Sequence, residues 1–91
     1  MGKGEISWKR TDDDGTKWQV YAKSVGRDWR FYIRERRFDP WEPLTNPPLE
    51  DWMQLLEGVE RRVPRRLLTP QEAKRLKNKI KELYPEATFE A

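Results

Sequence analysis

The chain has 91 residues, of which 38% are charged, and its 19 Lys and Arg residues against 16 Asp and Glu residues give a formal net charge of +3. A chain of this length has room for one hydrophobic core, so a single domain over residues 1–91 is expected. The absence of Cys excludes disulfides and thiolate chemistry, and the absence of His removes the usual base at neutral pH.

We derive the expected cellular location from two kinds of segment that the sequence lacks, a membrane-spanning segment and a secretory signal. No run of apolar residues is long enough to span a membrane, and the first residues have no apolar core of the secretory type. A chain without Cys also fits a reducing compartment. We therefore expect a cytoplasmic protein with no membrane partner.

Apolar and polar residues alternate in the first part of the chain, which is the period of β-strands. The alternation occurs in residues 5–11, 17–24 and 29–37. Gly15, after three Asp residues, and Gly26 supply the turns, because glycine tolerates a positive φ. Residues 5–37 are therefore predicted to form a three-stranded antiparallel meander.

A proline-rich connector is predicted over residues 38–47. Proline has no N–H group to donate to a neighbouring strand, so this segment is not expected to continue as a central strand. Trp41 lies between two of the prolines. We assign Trp41 to the core or the sheet edge, because large aromatic residues in small domains are mostly buried, and a rigid exposed docking residue is the alternative.

The apolar period changes to that of a helix after the connector. A helix is predicted over residues 48–63, with Asn46 as its cap and Pro64 at its end. Its apolar stripe consists of Leu49, Trp52, Met53, Leu56, Val59 and Val63. Gly58 weakens this helix or permits close packing.

A second helix is predicted over residues 69–84, followed by a tail at 85–91. Thr69, Pro70 and Glu72 form a capping-box pattern at its start. Its apolar stripe consists of Ala73, Leu76, Ile80 and Leu83, with Tyr84 beside it. The predicted fold class is thus α+β, with the order βββαα and both helices packed on one face of the sheet.

The strand alternation separates two faces of the predicted sheet. We call one the aromatic face, which carries Ile6, Trp8, Trp18, Val20, Ala22, Trp29, Phe31 and Ile33. We call the other the basic face, which carries Ser7, Lys9, Lys17, Gln19, Tyr21, Lys23, Arg30, Tyr32, Arg34 and Arg36. Six members of the second set are cationic and none is acidic.

The basic face has the residue types that bind nucleic acid. Lys and Arg displace the counterions of a phosphate backbone, and Tyr rings stack on bases. The candidate binding residues are Lys9, Lys17, Tyr21, Lys23, Arg30, Tyr32, Arg34 and Arg36. A face that merely contacts water is an open alternative, because antiparallel sheets commonly have one solvated face. A protein partner, including a second copy of the chain, at Trp41 or at an exposed edge of the third strand is another.

A second group of cations lies at residues 61–66 and along the last helix. Two helices joined by a short turn permit a helix-turn-helix interpretation. The alternative is a solvated helix face, because cations late in a helix interact favourably with its negative end.

Metal binding and catalysis find little support in the sequence. The carboxylates of residues 12–14 are adjacent rather than alternating, and the twelfth position counted from Asp12 is Lys23, where a calcium loop requires Glu. No nucleophile with a nearby base can be assigned. We therefore predict a non-enzymatic binding domain with no cofactor and no metal.

Overall fold

The protein has an α+β fold in a computed structural model that describes residues 5–26, 28–66 and 68–87. The elements in chain order are β1 (Glu5–Thr11), β2 (Lys17–Val25), β3 (Asp28–Arg34), β4 (Glu42–Leu44), α1 (Leu49–Arg62) and α2 (Pro70–Leu83). The chain divides into two compact units, Met1–Pro47 and Pro48–Ala91. The first unit contains the sheet and the second contains the helices. One domain over residues 1–91 stays a prediction.

The sheet is antiparallel with the strand order β1-β2-β3-β4, and its first three strands confirm the predicted meander. Gly15 in the first turn has a φ of 88°, and Gly26 in the second has a φ of 63°. Both values lie in the left-handed region, which glycine enters without a steric penalty. The first turn is closed by the hydrogen bond from the Asp12 N–H to the Thr16 carbonyl, at 2.8 Å.

The predicted connector at 38–47 contains a short fourth strand, so the prediction of three strands was wrong by one. β4 lies at the edge of the sheet and pairs only with β3. Pro43, opposite Tyr32, is accommodated because an edge strand needs only one of its two sides for hydrogen bonding. β3 itself ends at Arg34, and residues 35–39 form turns and bends between it and β4.

The cross-strand register confirms the predicted division into two faces, because residues directly opposite each other share a face. Ile6 lies opposite Ala22, and Trp8 lies opposite Val20. Ala22 in turn lies opposite Phe31. The aromatic face is the more buried one, since its buried residues are Ile6, Val20, Ala22 and Phe31. Trp8 and Phe31 contact each other edge to face, with 6.0 Å between their ring centroids.

Helix α1 differs from its prediction at its start. Pro48, and not Asn46, is the N-cap, and it has no side-chain cap because proline offers no oxygen for the free N–H groups. The helix ends at Arg62, near the predicted boundary. Leu55, outside the predicted stripe, is fully buried, as is Asp51 in the first turn.

Helix α2 begins with the predicted capping box. The Thr69 hydroxyl accepts a hydrogen bond from the Glu72 N–H at 3.3 Å, and the Glu72 carboxylate accepts one from the Thr69 N–H at 2.8 Å. Ala73, Leu76 and Ile80 are buried as predicted.

The end of α2 departs from its predicted stripe and tail. Leu83 is 47% exposed, so its place in the apolar stripe was wrong. Ala87 is buried rather than part of a loose tail, because the chain turns after Tyr84, whose carbonyl accepts the Ala87 N–H at 2.9 Å. The rest of the predicted tail, residues 88–91, lies outside the described residues.

Candidate nucleic-acid interface

The register of the strands arranges the basic face in rows that cross the sheet. One row contains Glu5, Lys23 and Arg30. The next contains Ser7, Tyr21, Tyr32 and Pro43. The third contains Lys9, Gln19 and Arg34, and the last contains Thr11 and Lys17. Neighbouring rows are two residues apart along each strand, or about 7 Å.

An aromatic cluster of Tyr21, Tyr32 and Trp41 occupies the middle of this face. The rings of Tyr21 and Tyr32 stack with 4.9 Å between centroids and 17° between planes. Trp41 meets Tyr21 edge to face, with 4.6 Å between centroids. All three residues are half-buried, so the cluster keeps part of its surface open to solvent.

Arg34, in the neighbouring row, contacts the Trp41 ring of this cluster. Its guanidinium carbon lies 4.1 Å from the centroid of the Trp41 ring, which is a cation–π contact. Its Nε donates a hydrogen bond to Gln19 Oε1 at 2.7 Å. One of its terminal nitrogens donates to the Asp39 carbonyl at 3.4 Å. Arg34 is thus half-buried and fixed in position, and we assign it chiefly to placing Trp41.

Exposed cations surround the aromatic cluster. Lys23 and Arg30 lie directly opposite each other in the row on one side of the two tyrosines. Lys9 and Lys17 lie toward the other end of the strands. These four residues are exposed. Like charges in directly opposed positions are destabilising, and Glu5, opposite Lys23 on its other side, supplies an acid in the same row.

Two features of the predicted basic face need correction. Arg36 lies beyond the end of β3, in a turn where its N–H donates to the Asp39 carboxylate at 3.2 Å, so it is not a member of the sheet face. The face is also not free of acids. Glu5, which lies inside the predicted first strand, is opposite Lys23. Asp28, one residue before the predicted start of the third strand, is opposite Val25.

Trp41 lies directly before the edge strand β4, so of its two predicted places the sheet edge fits and the core does not. It contacts Tyr21 and Arg34, so it belongs to the basic face and not to the core. The residue therefore adds to the candidate site. No periodic signal in the sequence indicated this position, because β4 has only three residues and its place depends on pairing with β3.

Phe38 is a second aromatic residue that the sequence prediction missed. Its side chain is 92% exposed, in the turn that follows β3. The Arg37 guanidinium lies 5.7 Å from the centroid of its ring. Single exposed apolar side chains are normal on protein surfaces, so it is the cation beside the Phe38 ring that makes this position a candidate contact point. The two cations directly before it, at positions 36 and 37, were the feature of the sequence that could have indicated an exposed position for Phe38.

Burial raises the pKa of the Tyr21 phenol, and the negative charges that Tyr32 and Glu5 can carry raise it further. Tyr21 therefore stays a neutral hydrogen-bond donor throughout the physiological range. A neutral ring is the form that stacks on a base next to an anionic backbone without charge repulsion.

The Asp-rich turn uses two of its carboxylates within the protein. Asp12 accepts hydrogen bonds from the Trp18 indole and from Arg10, the latter at 2.6 Å. Asp14 accepts the Thr16 N–H at 3.0 Å, which lowers the pKa of the Asp14 carboxyl. Among residues 5–26, 28–66 and 68–87 no group of three or more acidic or metal-ligating side chains converges as a metal site would require.

The second basic region has several cations that interact within the helical unit. Arg61 pairs with Glu57 at 3.0 Å, one helical turn earlier. Lys77 of α2 pairs with Glu60 of α1 at 3.3 Å. Arg62 donates to the Gly58 carbonyl at 3.0 Å. These contacts favour a structural role for the region over the helix-turn-helix interpretation, which stays untested.

Comparisons with known proteins add no relative. No family model matches the chain, no curated protein matches its sequence, and no solved structure matches its fold. In the part of the chain that the structure describes, none of the helices has the length and apolar character needed to cross a bilayer.

Proposed function

We propose that the protein is a non-enzymatic domain that binds nucleic acid through the basic face of its sheet. The observation that carries the proposal is the aromatic cluster of Tyr21, Tyr32 and Trp41 among exposed cations. Rings alone would suit a protein partner, and cations alone would suit a solvated face. Their combination supports a ligand that has both flat bases and phosphates.

The distribution of charge supports this proposal more than its total does. A formal net charge of +3 is modest for a nucleic-acid-binding protein. The exposed cations Lys9, Lys23 and Arg30, however, border a single patch. Among its described acids, Glu5 lies in the row of Lys23 and Arg30, and Asp28 lies one row further out. A local positive patch attracts a phosphate backbone over a distance of about 10 Å at moderate salt.

Fluorescence anisotropy with labelled oligonucleotides at low salt tests the proposal. The unchanged protein is expected to bind, and the triple variant Lys9→Glu, Lys23→Glu and Arg30→Glu is expected to lose binding. The matched control is Lys74→Glu, Arg75→Glu and Lys79→Glu, which reverses three exposed cations of α2. Each reversal lowers the formal net charge by two, so both variants go from +3 to −3. Equal loss in the two variants would contradict a role for the basic face.

A protein partner is the second candidate function, favoured by exposed Phe38 and by the free edge of β1. The expected edge of the third strand is less suitable, because β4 covers Phe31, Tyr32 and Ile33. Trp41 does not separate the two candidates, since it is part of the basic face. A cytoplasmic location, suggested by the absence of Cys, belongs to the same proposal.

A further inference from the structure

The basic face is shaped for one class of nucleic acid. We infer, on the premise of the proposed function, that its ligand is a single strand that runs along the β-strands from Lys23 and Arg30, across the aromatic cluster, toward the loop that carries Phe38. The spacing of the rows, the width of the sheet and the position of the exposed rings favour this ligand and this path.

The rows alternate between charge and aromatic surface along the strands. Lys23 and Arg30 come first, Tyr21 and Tyr32 come next, and the row of Lys9 and Arg34 follows. The two cationic rows are four residues apart, or about 13 Å. An extended single strand presents phosphates and splayed bases in alternation, and sheet-based readers stack about two or three bases on their aromatic residues. The alternation of cationic and aromatic rows on the basic face matches the alternation of phosphates and bases along such a strand.

A duplex fits this surface less well. Its bases are stacked on each other, so their faces are not available to Tyr21, Tyr32 or Trp41. The aromatic row also extends over all four strands, from Ser7 to Pro43. Three gaps of about 4.8 Å make that row about 14 Å wide before side chains are added, whereas the major groove is about 12 Å wide. The sheet therefore does not enter the groove face-on.

Phe38 extends the path beyond the sheet. It lies in the loop between β3 and β4, next to Arg36 and Arg37, and its ring is 92% exposed. A cation and a ring side by side are the two groups needed for one further phosphate and one further base. Because the ring is exposed, Phe38→Ala removes a binding group with little effect on the fold.

The experiment compares ligands that differ only in strandedness. Labelled single strands of about ten nucleotides, DNA and RNA, are titrated beside the duplex of the same sequence, with inorganic polyphosphate as a competitor that has no bases. We expect single strands to bind at least about tenfold more tightly than the duplex. Phe38→Ala and Trp41→Leu are each expected to weaken single-strand binding by at least about fivefold. Trp41→Phe, which keeps a ring, is expected to retain most of it.

Each outcome separates this inference from the proposed function. Equal or tighter binding of the duplex, still abolished by reversal of Lys9, Lys23 and Arg30, would overturn the single-strand inference and leave the proposed function in place. Effective competition by polyphosphate at equal phosphate concentration would also overturn it, because bases would then contribute nothing. Absence of binding to every oligonucleotide would overturn both.

Discussion

The Arg34 guanidinium and the Trp41 indole are in cation–π contact, with 4.1 Å between the guanidinium carbon and the ring centroid. The two residues come next in the register after Ile33 and Glu42, where β3 and β4 pair. Trp41 is therefore held against the basic face of the sheet by a cross-strand neighbour. The contact joins the connector to the basic face and brings a third ring to the two tyrosines.

This contact has a measurable energy. We expect a double-mutant cycle with Arg34→Met and Trp41→Leu to give a coupling of about 0.5–1 kcal/mol, because the pair is only partly desolvated. Urea unfolding of the four proteins provides the values. If the two single changes add to give the double change, the Arg34 side chain does not hold Trp41.

Two leucines, one in each helix, differ in burial. Leu55 of α1 is fully buried, whereas Leu83 of α2 is 47% exposed. Leu55→Ala is expected to lower the free energy of unfolding by about 2–5 kcal/mol, through lost burial and the cavity that remains. Leu83→Ala is expected to change it by no more than about 0.5 kcal/mol. Equal losses in urea unfolding would show that the burial pattern of the helices is wrong.

The capping box at the start of α2 makes a separate contribution. Thr69→Ala removes the hydroxyl that accepts the Glu72 N–H, and we expect the free energy of unfolding to fall by about 1 kcal/mol. Thr69→Ser keeps an accepting oxygen and is expected to cost much less. Helicity of both variants is measured by circular dichroism. If the serine variant loses as much helicity as the alanine variant, the assignment of the cap is contradicted.

Stability at high pH reports the environment of Tyr21. Its pKa is raised in the folded protein above the ordinary value of 10.0, chiefly by burial. The unfolded chain therefore releases this proton first, and stability that is fully present below about pH 10 is lost as the pH rises through the folded pKa. Tyr21→Phe is expected to reduce this alkaline loss, measured by urea unfolding between neutral and alkaline pH. Tyr84→Phe serves as the control, and an identical effect there would contradict the account.

The faces of the sheet and the second helix could be predicted because they depend on local rules. Alternation placed Ile6, Val20 and Phe31 on one side, and the observed register agrees. Thr69 and Glu72 form the capping box that their spacing indicates, since both partners lie within one turn. Packing between the helices and the sheet stays a prediction.

Tertiary contacts explain what the sequence did not reveal. β4 has three residues and a central proline, which is too short for a periodic signal, and its existence depends on pairing with β3. Trp41 was assigned to the core or the sheet edge on general grounds, and that pairing places it at the edge, in contact with Tyr21. Nothing in the spacing of Phe38 distinguishes an exposed ring from a buried one, because the surrounding loop has no regular period.

The indole N–H signals of the five tryptophans provide the most direct test of the nucleic-acid interface. Trp41 belongs to the basic face, Trp8, Trp18 and Trp29 belong to the aromatic face, and Trp52 is buried in α1. In a nitrogen–proton correlation spectrum titrated with a single-stranded oligonucleotide, the account predicts that the Trp41 signal shifts progressively while the other four stay in place. An unmoved Trp41 signal, with shifts at Trp52 or along α2, would contradict the central claim.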